Sequence, residues 1–338
     1  MAGAATNHRI LLRGRPAGIP TPDLFEADTV PVQAPGPDEV LLETLYLSVD
    51  PAMRGWMSEG GSSYHRPVPL GEVMRGGGIA RVLESRAPEH KPGDLVQARL
   101  GWQSHPTIPA RFLQKVDTTR GDALAWIGPL GLSAVTAYFG MRDIGSVRPG
   151  ERVLVSAAAG GVGQIAAQIG RIEACRVAGI AGGPEKCSFL RNDLRLDAVL
   201  DYKAENDLAA AIGRACPDGI DLYFDNVGGE TLDAALLHLR PGARVVLCGR
   251  ISQVNVQKPY GLRNVGQLGA KQARMQGFQV FAYNPRYEEA RAWLAARHAD
   301  GQLRQRLHIL EGLHHAPAAL GMLFRGENTG KLVVRVGG

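Results

Sequence analysis

Ala158, Gly160 and Gly163 stand in the run AAGGVG, directly after the apolar stretch RVLVSA and directly before QIAAQIGRI, where apolar residues recur at helical spacing. This is an A-x-G-x-x-G variant of the turn that cradles a pyrophosphate. A missing side chain at Gly160 lets backbone approach the anion, and one at Gly163 lets the helix pack close to the strand. Gly161 and Val162 complete the turn, and the helix start offers free N–H donors. Such a turn binds a nucleotide; it breaks no bond itself. Alone it specifies little, so its meaning depends on a strand before it, a helix after it and further βαβ units around it. The bland alternative is a tight turn with packing glycines.

The next strand-like run, RVAGIA, ends on Gly182 and Gly183, with Lys186 three residues on. In a chain that binds NAD this is where an Asp or Glu accepts hydrogen bonds from the adenosine ribose diol. A carboxylate there would repel a 2′-phosphate, so its absence together with Lys186 favours NADP(H) over NAD(H). One charge-assisted hydrogen bond of about 1.5–3 kcal/mol corresponds to about ten- to a hundredfold in affinity. The competing reading makes Pro184 the first residue of a helix and leaves Lys186 pointing to water.

These residues need a scaffold, and the texture of the chain changes where one is required. From about Arg9 to Val116 short β-like runs alternate with Pro and Gly: HRILLRG, EVLLETLYLSV, GGGIARVLES, GDLVQARL and ARFLQKV. After Ala125 the strand-like runs RVLVSA, RVAGIA, AVLDY, GIDLYFDNV, ARVVLCG and MQGFQVFAY are mostly separated by helix-like segments, which predicts βαβ units and a parallel sheet. The last stretch ends on KLVVRV and is too short for a domain of its own, so it is expected to return to the first half. The fold class expected is α/β, with residues 1–124 and 306–338 forming a β domain and 125–305 a doubly wound domain. At 338 residues the chain is long enough for roughly two domains.

Composition narrows the function classes. A net charge of +5 with scattered basic residues is a poor match for nucleic acid or an anionic membrane. The four cysteines, Cys175, Cys187, Cys216 and Cys248, share no metal-ligand spacing and suit a reducing compartment. The start MAGAATNHRILLRGRP lacks the apolar core of a signal peptide, and no apolar run approaches the ~20 residues of a membrane span. A cytoplasmic protein is expected. No metal is expected: no cysteine precedes Cys175, the nine histidines are scattered, and the neighbours His314 and His315 would point to different sides of a helix.

Several segments, in order and spacing, resemble one family: LSVDPAMRGWMSEG, GEVMRGGGIARVLESR, GDLVQARLGWQ, AAAGGVGQIAAQIG, DGIDLYFDNVGGE, LCGRISQVN and ENTGKLVV. The chain resembles, over essentially its whole length, the zinc-free medium-chain dehydrogenase/reductases of the prostaglandin reductase, leukotriene B4 12-hydroxydehydrogenase and alkenal double-bond reductase type. The resemblance implies a GroES-like β domain joined to a Rossmann domain, and a homodimer. It implies NADPH-dependent reduction of the carbon–carbon double bond of α,β-unsaturated aldehydes and ketones. It assigns Lys186 and Tyr202 to the 2′-phosphate. Asn226, the run Cys248, Gly249, Ile251 and Ser252, the aromatic pair Phe278 and Phe281, and Asn328 are assigned to the rest of the cofactor.

Conjugate reduction needs a hydride at the β-carbon and donors aimed at the enolate oxygen that develops, while water can protonate the α-carbon. Here the chain departs from the family. Val254 stands where a tyrosine is common, Ala52 replaces an aromatic beside Met53, and His105 replaces another tyrosine. A roomier, more apolar substrate pocket lined by Ala52, Met53, His105 and Val254 is expected, with a preference for bulky or aryl enones. Tyr64 and Tyr260 are the candidates to replace the missing phenol. Two other readings stay open: a zinc-free NADPH quinone reductase, and a weakly catalytic NADP-binding regulatory protein.

Overall fold

A computed structural model describes residues 6–60 and 66–337. The chain divides into two compact units, one of Met1–Ile127, Leu307–Asn328 and Leu332–Gly338, the other of Gly128–Arg306 and Thr329–Lys331. The junction read from the sequence at 124/125 falls at 127/128 in the structure, and three residues near the C-terminus count with the nucleotide unit.

The first unit is built on antiparallel strands. The strands Thr6–Leu12 and Phe25–Pro31 pair with each other. A seven-stranded sheet runs in the order Leu307–Glu311, Lys331–Arg335, Glu39–Ser48, Gly77–Ser85, Leu95–Arg99 and Gln114–Lys115, with Thr107–Pro109 also pairing with Glu39–Ser48. In the tail strand, Val333, Val334 and Arg335 stand opposite Ser48, Leu47 and Tyr46. Leu42, Leu47, Met53, Met74 and Trp102 close its core, joined by Leu320 of the helix Ala316–Arg325.

Two segments differ from the sequence reading. FEADTVP is charged and ends on proline, so it carries no strand signal, yet Phe25–Pro31 is a strand. Its acids are matched across the pair: Arg9 Nε donates to Asp28 at 2.9 Å and Arg13 Nε to Glu26 at 2.7 Å. In ARFLQKV the first residues close a 3-10 turn, Ala110–Phe112, and only Gln114–Lys115 is extended.

The second unit is an open parallel sheet in the order Ala198–Asp201, Arg176–Ala181, Arg152–Val155, Ile220–Asp225, Leu239–Leu247 and Arg274–Gly277. The helices Gly163–Ile172, Pro184–Ser188, Leu208–Ala215, Gly229–Leu236 and Gly266–Ala270 alternate with the strands. Strand RVAGIA is apolar after Arg176 and buried from Val177 to Ala181, as befits a parallel strand covered on both faces. Helix Leu208–Ala215 starts on Asp207, whose carboxylate accepts from the Ala210 amide at 2.9 Å. MQGFQVFAY is extended only as far as Gly277; Val280–Arg286 forms a 3-10 helix instead. The aromatic residues are drawn out of the strand: Tyr283 stacks on Phe139 at 4.4 Å and meets Phe278 edge-on at 6.3 Å.

Candidate functional site

Every cofactor residue predicted in the second unit follows the carboxyl end of one of its strands, the edge where open α/β sheets bind ligands. The phosphate turn follows Arg152–Val155. Ala157 takes a left-handed φ of 46°, and the Gly160 amide closes on its carbonyl at 2.9 Å. A Cβ on Gly163 would lie 2.2 Å from that same carbonyl oxygen, so only glycine lets the helix begin there. At Gly160 the space is merely tight, 3.2 Å. The amides of Val162 and Gly163 meet no acceptor among the described residues, and the helix Gly163–Ile172 has no side-chain cap. A cradle that a side chain would fill, edged by unpaired donors, fits a pyrophosphate.

The end of strand Arg176–Ala181 excludes an acid twice over. A Cβ on Gly182 would stand 2.6 Å from the Tyr202 ring, and Gly183 has a φ of 92° that side chains rarely adopt. Asp201 fixes this corner by accepting from the Gly183 amide at 2.8 Å and the Lys203 amide at 3.0 Å. Lys186 is half-buried on the short helix Pro184–Ser188. Burial, then repulsion from Lys203, hold its ammonium below the ordinary lysine range, with Glu185 opposing. A cation placed where it is disfavoured alone, beside a second cation, suits a doubly negative group.

The third part of the edge hangs on Asp225, which the sequence reading did not single out although it stands in FDNVGG. Its buried carboxylate accepts from Ser156 Oγ at 2.9 Å, the Tyr223 hydroxyl at 2.7 Å and the amides of Val227 at 3.1 Å and Gly228 at 3.0 Å. Asn226 is held in turn, its side-chain amide donating to the Ser156 carbonyl at 2.7 Å. The run Cys248 to Ser252 is knitted to the same turn: the Cys248 and Gly249 amides donate to the Asp225 carbonyl, and those of Ile251 and Ser252 to Asn226 and Val227. Burial, and the Asp225 charge after it, push the Cys248 thiol up to about 12. Phe278 and Phe281 follow the outermost strand, Phe278 within the aromatic cluster and Phe281 largely exposed. Asn328 belongs to the first unit.

The residues proposed for chemistry fare differently. Tyr64 lies outside the described residues. Tyr260 does not present a free phenol: its hydroxyl donates to Asp233 at 3.0 Å, while the other oxygen of Asp233 takes the Arg263 and Asn264 amides at 2.9 and 2.8 Å. The ring anchors a loop to the helix Gly229–Leu236. Met53 is fully buried in the core of the first unit, so its side chain lines no open pocket, whereas its neighbour Ala52 is exposed. His105 is half-buried, with its amide on Asn7 at 2.8 Å and its ring on Ser104 at 2.9 Å. Val254, half-buried, ends the 3-10 turn Ile251–Gln253 in the second unit. Among the described residues no group of three or more His, Cys, Asp or Glu side chains is placed to share a metal ion, and no helix is long and apolar enough to cross a membrane.

A parallel sheet in this order, with a glycine cradle on its central strand and lysines beside the next, makes a dinucleotide-binding unit. Comparison with known proteins agrees. A model of the N-terminal domain of oxidoreductases matches residues 8–116, and one of zinc-binding dehydrogenases matches 161–296. The NADPH-dependent curcumin reductase of Escherichia coli is 40% identical, covering 98% of this chain and 97% of its own. The NADP(+)-dependent 2-alkenal reductase of Nicotiana tabacum is 37% identical over 99% of both chains. The crystal structure of CurA from Vibrio vulnificus in complex with NADPH superposes with a TM-score of 0.92 at 39% identity, covering 98% of this chain and 99% of that one. The chain belongs to the zinc-independent medium-chain dehydrogenase/reductase family, in the branch of the alkenal and prostaglandin reductases. Its cofactor is NADP.

Proposed function

We propose that this enzyme reduces the carbon–carbon double bond of α,β-unsaturated ketones and aldehydes, with NADPH as electron donor. The observation that carries the reading is the acid-free corner at Gly182, which the Tyr202 ring closes and which Lys186 and Lys203 make cationic. Relatives are named for curcumin and 2-alkenals, both with NADP(H), and for (+)-pulegone, and that substrate class is carried over here.

In this reading Lys186 and Tyr202 hold the 2′-phosphate, the amides of Val162 and Gly163 the pyrophosphate, and Asn226 and the run Cys248–Ser252 the remainder. Bound there, the dinucleotide supplies the hydride that the β-carbon receives. Water protonates the α-carbon; Val254 has no donor for the enolate oxygen and the Tyr260 hydroxyl serves Asp233, which leaves Tyr64 of the two candidate phenols. Val254 offers an apolar side chain where a phenol is common, which predicts faster turnover of benzalacetone than of a short alkenal.

The test is NADPH consumption with benzalacetone, with pent-2-enal and with a simple quinone, the products identified by mass. A saturated ketone two hydrogens heavier than the enone is expected. Turnover of the quinone without either enone would replace this reading by quinone reduction.

An enzyme that handles enones meets alkylating agents, and its thiols bear on that. Burial raises all four: Cys175 and Cys216 to about 11, Cys248 to about 12, and Cys187 upward as well. A raised thiol pKa leaves little thiolate at neutral pH, and thiolate is the reactive form. Folded protein at pH 7.5 is expected to react with N-ethylmaleimide far more slowly than unfolded protein, the rate climbing about tenfold per pH unit. Rapid labelling of all four thiols in the folded state would contradict this.

A further inference from the structure

The segment Arg304–Arg306 has no regular structure, yet it is held at both ends by the phosphate helix. The Gln164 side chain accepts from the Arg306 amide at 2.8 Å and donates to the Arg306 carbonyl at 3.1 Å. One turn later Gln168 does the same for Arg304, accepting at 2.9 Å and donating at 2.7 Å. Both glutamines are buried, and each acts as a strand partner would, fixing the backbone on either side of Gln305.

Gln305 uses that fixed position on the phosphate turn. Its Nε2 donates to the Gly161 carbonyl at 2.7 Å, while its Oε1 is buried and meets no donor among the described residues. In a trans peptide the carbonyl and the following N–H point in opposite directions, and no cis bond occurs among the described residues. Gln305 therefore sets the plane of the Gly161–Val162 peptide and turns the Val162 N–H away from itself. On the other side the Lys331 stem packs where a Gly161 Cβ would be, 2.8 Å away, and the Gly330 amide holds the Ala159 carbonyl at 3.1 Å.

We infer that Gln305 is a positioning residue for the cofactor: by gripping the Gly161 carbonyl it holds the Val162 amide ready for the pyrophosphate. A donor already aimed at its anion loses no reorganisation energy on binding. The unpartnered Oε1 is an acceptor left for a water or hydroxyl arriving with the dinucleotide. The inference rests on the reading of this turn as the NADPH site.

Gln305→Met removes the donor at nearly constant volume, and Gln305→Glu sets a carboxylate against the Gly161 carbonyl. Dissociation constants for NADPH and for adenosine 2′-monophosphate, which carries the 2′-phosphate but no pyrophosphate, are measured by calorimetry. NADPH is expected to weaken about three- to tenfold in Gln305→Met, and further in Gln305→Glu. Adenosine 2′-monophosphate should stay within about twofold in both, which also reports that the variants are folded. KM for NADPH should rise with kcat unchanged. Unaltered NADPH affinity, or equal weakening of both ligands, overturns the inference. Failure of the unsubstituted protein to bind NADPH would instead sink the cofactor reading beneath it.

Discussion

Replacing Lys186 with alanine is expected to weaken NADPH binding by about ten- to a hundredfold while leaving NADH affinity within about twofold. The size follows from one charge-assisted contact to a phosphate dianion, and the selectivity from geometry. Lys186 lies past the strand Arg176–Ala181, near Lys203, and on a different strand end from Asn226 and the Cys248–Ser252 run. Burial and Lys203 already depress its proton affinity, so a bound phosphate restores what they take away. NADPH affinity should therefore begin to fall at a pH below the ordinary lysine range, and Lys186→Arg should shift that fall upward because a guanidinium stays charged. The cofactor-induced rise in melting temperature reads both effects. Equal losses for the two dinucleotides would mean that Lys186 supports the fold rather than the phosphate.

Asp225→Ala should cost about 3 kcal/mol or more in unfolding free energy, read by chemical denaturation. The carboxylate is wholly buried and serves two hydroxyls and two amides. Alanine strands all of these donors in a site too closed for water to replace the oxygen atoms. Burial holds the Asp225 carboxyl above the ordinary aspartate range even though these hydrogen bonds work the other way. The folded state thus binds the proton more tightly than the unfolded state, so the native protein gains stability as pH falls through that raised pKa. The variant lacks this gain, and the gap between the two should widen on acidification from neutrality. Asn226 hangs from Ser156 in the same cluster, so NADPH affinity should fall together with stability.

What the sequence made legible was local. The glycine pattern of the phosphate turn, the apolar run of RVAGIA and the missing acid at Gly182 each depend on neighbours within a few residues. The strand Phe25–Pro31 was hidden because its acids look like a loop until Arg9 and Arg13 are set beside them. Gln305 was hidden for the same reason at longer range: its partner Gly161 and its supports Gln164 and Gln168 lie far back in the chain. Ala52 and Met53 show the limit of motif reading, since adjacent residues can face a core and the solvent. Tyr260 carried a plausible phenol, but only the fold reveals that Asp233 engages it.

The tail adds a consequence for how the protein is made. Gly330 supplies the bridge to Gly160 and the hydrogen bond to Ala159, and Lys331 covers Gly161. On the ribosome the phosphate turn emerges long before these residues are translated, so a nascent chain carries the glycine motif without its final brace. Full affinity for the dinucleotide should arise only once residue 331 has been added and has folded back, and incomplete translation products would compete poorly for the cellular cofactor pool.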